Sequence, residues 1–394
     1  MKLWRKRVYA DAAAATPVSR SVRREMRRLA GLFGNPSALH TEAQAAKKEL
    51  EAAREKIAST IGAHADELIF TSGGTEGNNL AIFGTLRRLL RVGEDAHAIT
   101  TAIEHSSVLE PLRALEKEGL LLTELPVDEH GLVSYKSLRE ALTPNTVFVS
   151  VQMINSEVGT IQDIRELAKE VRHARKERDD GKPIYFHTDA SQASLWLKIG
   201  VEQLGIDLLT LDAQKMLGPK GVGVLFVRRG VALEPHIYGG GQEKGRRSGT
   251  ENTMLAGACA VALADAQDDV EARAEKIASM RDFLFKQIEK AILGVRLNGA
   301  GGKSRAPNNL NITIPQLNGD MAVIALDAQG VAVSTRSACD TEDESPSYVL
   351  KALGISVQNA KNSIRITVLP GATKGEARRI ARALARVVAL YRQS

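Results

Sequence analysis

The chain has 394 residues, 43% hydrophobic and 25% charged, with a formal net charge of +6 and two cysteines. That length accommodates two or three domains and a sizeable core, while two cysteines exclude a disulfide scaffold and fit a reducing compartment. No run reaches the eighteen or so apolar residues of a membrane span, and Asp11 interrupts the segment behind the basic head MKLWRKR, so no export signal is expected and the cytoplasm is the expected location.

In chain order, ELIFTSGG reads as a strand running into a glycine turn, and TEGNNLAIFGTLRRLLR continues with the helical spacing of Leu80, Phe83, Leu86 and Leu90. HAITTAIEHSS, NTVFVSVQMINSE, KPIYFHTDASQ, DLLTLDAQK and GVGVLFVRR are short β-rich runs, with helical segments such as IRELAKEVRHARKER between several of them. This alternation predicts a mostly parallel sheet with helices on both faces. From about residue 255 the pattern changes to one long helical stretch, ENTMLAGACAVALADAQDDVEARAEKIASMRDFLFKQIEKAI. NLNITIP, VAVSTRSAC, SIRITVLP and the terminal helix KGEARRIARALARVVALYRQ follow it. The basic residues are spread along helices and read as solvated faces. No nucleic-acid module or aromatic stacking run accompanies them, so direct nucleic-acid binding is not expected.

In sheets of this kind ligands bind beyond the carboxyl ends of the strands. Thr75, Glu104, His105, Asn155, Asp189 and Lys215 all fall at such ends. A lysine at the end of an apolar strand is poorly hydrated, which lowers its pKa and makes it a nucleophile toward aldehydes. Asp189 could pair with a protonated ring nitrogen or cap the following helix. TSGGTEGNN offers backbone N–H groups before a helix, a setting that suits a phosphate, and GGGQEKGRRSGTEN is dense enough in glycine, arginine and hydroxyls to be a second arm on the same group. Cys339 lies among Ser, Asp, Glu and Thr and is expected to be exposed, whereas Cys259 in LAGACAVALA is expected to be inert core.

Taken together, the segments VYADAAAATP, FGNPSALH, TSGGTEGNNLAI, IEHSSV, NSEVGTIQDI, HTDASQ, GPKGVGVLFVRR, GGGQEKGRRSGTEN, SAC, PSYVLKALG and SIRIT resemble, in order and nearly end to end, the cysteine desulfurases of the NifS/IscS type in the class V aminotransferase group. The resemblance implies the type I fold of pyridoxal-phosphate-dependent transferases. Residues 16–255 would form a large cofactor-binding domain on a mostly parallel seven-stranded sheet flanked by helices. Residues 1–15 and 256–394 would form a smaller α+β domain carrying the Cys339 loop. It implies pyridoxal 5′-phosphate as cofactor, with Lys215 as the Schiff-base lysine, Asp189 on the pyridine nitrogen and Gln192 on the ring hydroxyl. His105 would stack on the ring and shuttle protons, and Gly74, Thr75 and Gln214 would hold the phosphate, helped by Thr250 from a second subunit of a homodimer. Asn155 and Arg365 would bind the carboxylate of L-cysteine, for which the arginine fork is suited. Cys339 would accept the sulfur as a persulfide, alanine would leave, and a sulfur-acceptor protein in iron–sulfur cluster assembly or thio-modification would be served.

The chain departs from the family where Ser, a small residue and His usually precede the lysine: here the run is Asp212-Ala213-Gln214-Lys215. A carboxylate about 4 Å from a unit negative charge costs about 4 kcal/mol at an effective dielectric of about 20. Asp212 is therefore expected to turn away from a phosphate or to be compensated by a nearby donor or cation. Ser156 stands where a second Asn is common. Asp340, Glu342, Asp343 and Glu344 crowd Cys339 with negative charge, which disfavours its thiolate, while Arg336 acts oppositely. Two other readings are a selenocysteine lyase on the same scaffold and a catalytically weak homologue that acts as an assembly partner.

Overall fold

The computed structural model describes residues 7–91, 95–179, 181–335 and 346–393. The first strand, β1 (Val8–Tyr9), leads into α1 (Arg20–Leu29) and α2 (Thr41–Ile61). Strand and helix then alternate: β2 (Leu68–Thr71), α3 (Gly74–Arg91), β3 (His97–Thr101), α4 (Ser106–Lys117), β4 (Leu121–Leu125), α5 (Tyr135–Ala141), β5 (Thr146–Ser150), α6 (Ile164–Lys176), β6 (Tyr185–Asp189), α7 (Val201–Leu204), β7 (Leu208–Asp212) and β8 (Gly223–Val227). Two long helices follow, α8 (Thr253–Gln267) and α9 (Val270–Ala291). The remaining elements are β9 (Arg296–Leu297), β10 (Asn309–Thr313), α10 (Gly319–Ala328), β11 (Val331–Ala332), α11 (Tyr348–Ala352), α12 (Val357–Lys361), β12 (Ser363–Thr367) and α13 (Lys374–Gln393).

The main sheet has seven strands in the order β2-β8-β7-β6-β5-β3-β4. All its pairs are parallel except those of β8, which runs antiparallel to both β2 and β7. This is the mostly parallel seven-stranded sheet that the resemblance implies. Every residue of β3, β5, β7 and β8 is buried, as strands covered by helices on both faces must be. β4 is a strand that the pattern of HAITTAIEHSS and its neighbours does not announce. It lies at the sheet edge and is mostly half-exposed, so its apolar run is incomplete.

The long stretch after residue 252 is two helices rather than one. Asp269 takes a left-handed backbone (φ +46°) between α8 and α9, and the junction turns α9 onto α13, while α8 packs on α1 and α2. β9, β10 and β12 form a second, antiparallel sheet, and β1 pairs in parallel with β11. The start of the chain is thereby tied to its last third. Among the described residues no helix is long and apolar enough to cross a membrane.

The segment GGGQEKGRRSGTEN is anchored from below. Arg54 of α2 donates both terminal nitrogens to the Glu243 carboxylate at 2.8 Å, and also donates to the Leu68 carbonyl at 3.0 Å. Glu243 further accepts the Phe70 N–H at 3.1 Å. Both partners are buried, so removing one leaves the other as an uncompensated charge. Arg54→Ala is expected to destabilise the fold by about 3–5 kcal/mol. Thermal and denaturant unfolding check this, and a loss below about 1 kcal/mol would show that the pair is not shielded from water.

Candidate active site

The carboxyl ends of the parallel strands open onto one pocket, lined in part by Gly74, Thr75, His105, Asp189, Gln192, Gln214, Lys215 and Arg365. Eight of the eleven residues singled out from the sequence therefore meet in one place. Of the other three, Asn155 and Thr250 do not line it, and Cys339 lies outside the described residues.

Lys215 sits in a tight turn directly after β7. Its Nζ donates to the main-chain carbonyls of Ala13 at 2.8 Å and Ala14 at 2.6 Å. Those residues belong to the run DAAAATP, which is stitched to the same turn because the Thr16 hydroxyl donates to the Gln214 carbonyl and accepts the Leu217 N–H. The Gln192 amide also donates to the Ala13 carbonyl, at 2.8 Å.

Asp189 ends β6 with its carboxylate held by two donors. The Ser191 N–H reaches Oδ1 at 2.9 Å and the Asn78 amide reaches Oδ2 at 2.8 Å. Both hydrogens of that amide are used, since Asn78 also donates to Ser107 Oγ at 2.8 Å. Ser107 in turn touches Nδ1 of His105 through its hydroxyl (2.8 Å) and its N–H (3.1 Å). A ring nitrogen that accepts a main-chain N–H carries no proton, so neutral His105 bears its proton on Nε2. His105 thereby caps α4, and Asn78 links its support to that of Asp189. Beneath them His187 is fully enclosed between the hydroxyls of Ser150 and Thr210, and burial pushes its pKa down.

Glu104, next to His105, is wholly buried. One oxygen accepts from the Thr101 hydroxyl and the Gln152 N–H, while the other has no partner among the described residues. Burial, opposed by those two donors and reinforced by the nearby Asp189, raises its pKa from 4.5 to about 8. Asn78 and Ser107 are not among the residues the sequence singles out, and Glu104 is marked there only by its place at a strand end. The signals available were weak: an Asn one helical turn after Gly74 and a Glu beside a strand-end His.

Arg365, on β12, is 1% exposed. Its guanidinium donates to Asp11 Oδ1 at 2.9 Å and to the Ser156 carbonyl at 3.2 Å, and Nε has no partner among the described residues. The arginine is thus both an ion-pair partner and a pocket wall.

Asn155 is bonded to main chain. Its amide donates to the Ile103 carbonyl at 2.9 Å and its Oδ1 accepts the N–H groups of Glu157 and Val158. It shapes the loop behind His105 with one amide hydrogen left over, and it is not among the residues that line the pocket. Thr250 is exposed and borders a separate cavity beside Glu243 and Arg247. Cys339 lies outside the described residues, as do Arg336 and the acidic residues around it. Cys259 is completely buried, and burial pushes its thiol up to about 12, which makes it unreactive.

Asp212 ends β7 and faces the pocket near Gly74, compensated by a donor rather than turned away. Its oxygens accept the main-chain N–H of Gln214 at 3.2 Å and the Gln214 side-chain amide at 3.0 Å.

A sheet of this order with a lysine, a donor-held carboxylate and a histidine at its strand ends is the framework of a pyridoxal-phosphate enzyme. Residues 8–379 match the aminotransferase class-V family, and the chain belongs to it. Within that family it is similar to proteins named cysteine desulfurase IscS. The one from Dictyoglomus turgidum is 43% identical over 367 residues, 92% of this chain and 90% of its own, and the one from Methanosarcina thermophila is 38% identical over 92% of this chain and 87% of its own. A solved NifS-like protein superposes with a TM-score of 0.89 at 30% identity, covering 98% of this chain and 100% of its own. A solved SspA in complex with cysteine superposes with a TM-score of 0.79 at 35% identity, covering 93% and 100%.

The cofactor of the family is pyridoxal 5′-phosphate. The residues present fit it. Asp189 is a fixed, donor-supported anion for a protonated ring nitrogen, Lys215 can reach an aldehyde, and the buried Ser191 Oγ lacks any partner within the described residues. Gly74 leaves room there, since a Cβ on it would stand 2.9 Å from Ser191 Oγ.

The raised pKa of Glu104 means that the folded protein keeps a proton which the unfolded chain releases. Its contribution to stability is full below about pH 4.5 and is lost as pH rises to about 8. Glu104→Gln, which cannot ionise, is expected to flatten this part of the stability profile. Melting temperatures of both proteins between those limits check it, and parallel curves would show that Glu104 titrates normally.

Proposed function

We propose that this chain is a cysteine desulfurase that converts L-cysteine to L-alanine and leaves the sulfur on Cys339 as a persulfide. The meeting of Lys215, Asp189, His105 and Arg365 in one pocket is the observation that carries this reading. When bound, pyridoxal 5′-phosphate supplies an electron sink that labilises bonds around the substrate α-carbon. Asp189 would pair with the ring nitrogen, Lys215 would hold the aldehyde carbon and could serve as an acid–base group, and His105 would cover the ring and could exchange protons through Nε2. Gln192 is read as a partner of the ring hydroxyl, and Gly74, Thr75 and Gln214 as the phosphate end.

Arg365, which lines the pocket, is read as the partner of the substrate carboxylate, with Asp11 holding its guanidinium. Cys339 takes the substrate sulfur as a thiolate: an S–S bond forms on Cys339, the substrate C–S bond breaks, and a proton delivered to that carbon completes alanine. We read residues 16–255 as the cofactor domain and residues 1–15 with 256–394 as the smaller domain. Thr250, exposed and remote from Lys215 in its own chain, fits a role across a two-fold homodimer, completing the partner's phosphate site. The acidic residues around Cys339 suit a sulfur-acceptor protein with a basic face, in iron–sulfur cluster assembly or thio-modification. Two cysteines in 394 residues fit the reducing cytoplasm.

Lys215→Ala is expected to abolish the visible absorbance of the bound cofactor and to lower alanine formation by about 10²-fold or more. Cys339→Ser is expected to keep that absorbance, and its response to L-cysteine, while losing the protein-bound persulfide. Absorbance spectra, alanine assay and mass spectrometry of the intact chain separate these outcomes. Persulfide formation in Cys339→Ser would overturn the assignment of the acceptor.

A further inference from the structure

At one end of the pocket, α3 begins at Gly74 and runs for 18 residues. The first N–H groups of a helix have no partner within it, and its dipole favours an anion there. A second observation points the same way. Ser191 Oγ is buried, has no hydrogen-bond partner among the described residues, and lies 2.9 Å from the place a Cβ on Gly74 would occupy. Unpartnered buried hydroxyls are uncommon because desolvating them without a partner is unfavourable. This hydroxyl and the helix start together form a donor site for an anionic group.

A carboxylate borders the same space. Asp212 Oδ2 lies 3.4 Å from that Cβ position, and Asp212 is only 6% exposed. Its compensation comes from neutral groups, the N–H and the side-chain amide of Gln214. No lysine or arginine pairs with it among the described residues, and the neighbouring Lys215 ammonium is turned to the carbonyls of Ala13 and Ala14. Neutral donors soften a negative charge without cancelling it, so a phosphate bound at the α3 start meets like charge in a poorly hydrated space. Gln214 commits one of its two side-chain N–H hydrogens to Asp212, which leaves one for a phosphate.

We infer that Asp212, held by Gln214, is a specificity-determining residue that weakens this chain's hold on the phosphate end of its cofactor and leaves its hold on the ring end unchanged. The inference rests on the proposed pyridoxal-phosphate site. It makes the chain a less discriminating binder of phosphorylated over unphosphorylated pyridoxal than its donors alone would produce. Removing the charge restores the discrimination.

The test measures dissociation constants of the purified full chain for pyridoxal 5′-phosphate and for pyridoxal, from the visible absorbance on titration, in wild type, Asp212→Asn, Asp212→Ser and Gln214→Leu. Melting temperatures without ligand confirm that each variant folds, and the two Asp212 variants guard against one failing to do so. Both Asp212 variants are expected to bind pyridoxal 5′-phosphate about tenfold more tightly or better, equivalent to about 1.4 kcal/mol, with pyridoxal unchanged. Gln214→Leu, which bares the carboxylate, is expected to weaken the phosphorylated ligand alone, and adding Asp212→Asn should reverse that loss. Unchanged or weaker binding of pyridoxal 5′-phosphate by the Asp212 variants overturns the inference. An equal effect on both ligands also overturns it, because Asp212 would then act through the shape of the site. If neither ligand binds any of the proteins, the cofactor reading fails, and the inference with it.

Discussion

The Lys215 ammonium is held by the main-chain carbonyls of Ala13 and Ala14, and the rest of the site is arranged around that contact. The strap that supplies those carbonyls is fixed at several other points. The Ala12 and Ala13 N–H groups donate to Thr367, on β12, Asp11 pairs with Arg365, and Thr16 is bonded to the turn that bears Lys215. One short segment at the start of the chain thus bridges the end of the seven-stranded sheet and the antiparallel sheet near the other terminus. Displacing the strap would move the lysine and the arginine together, so their separation is set by a main-chain framework rather than by two flexible side chains.

Around this framework, two buried carboxyl groups are held in opposite settings. Asp189 receives a main-chain N–H and an amide. Glu104 keeps one oxygen bare within the described residues and is pushed toward its neutral form, partly by the proximity of Asp189. The arrangement reaches further through Tyr348, whose hydroxyl donates to the Glu104 carbonyl at 2.6 Å. Tyr348 opens α11, shortly after Cys339 in sequence, so the residue beside His105 is coupled to the chain that follows the proposed sulfur acceptor.

The outline of this architecture was legible in the chain. Apolar runs of five residues between helical segments specify buried parallel strands, and polar residues at their ends mark where a ligand sits. Lys215, Asp189 and His105 stand at such ends in the sequence. A polar side chain at a strand end can also satisfy main chain, as Asn155 does with Ile103, Glu157 and Val158. Asn78 and Asn79 show the opposite difficulty. They are adjacent and of one type, yet only Asn78 points under Asp189, while Asn79 bonds back to the Thr75 carbonyl within its own helix. The break at Asp269, which takes a left-handed backbone, is likewise not announced, because Asp-Asp has no strong turn signature.

Sequence alone determined what depends on local order: strand and helix periodicity, the chemistry available at each strand end, and the change from Ser and His to Asp212 and Gln214 ahead of the lysine. Tertiary structure decided what depends on contacts between residues far apart in the chain. It placed Ala13 against Lys215, Asp11 against Arg365 and Asn78 against Asp189, it raised the pKa of Glu104 through burial, and it turned Asp212 toward the start of α3. Hydrogen bonding and desolvation act over a few ångströms of space, and only the completed fold determines which residues fall within that distance.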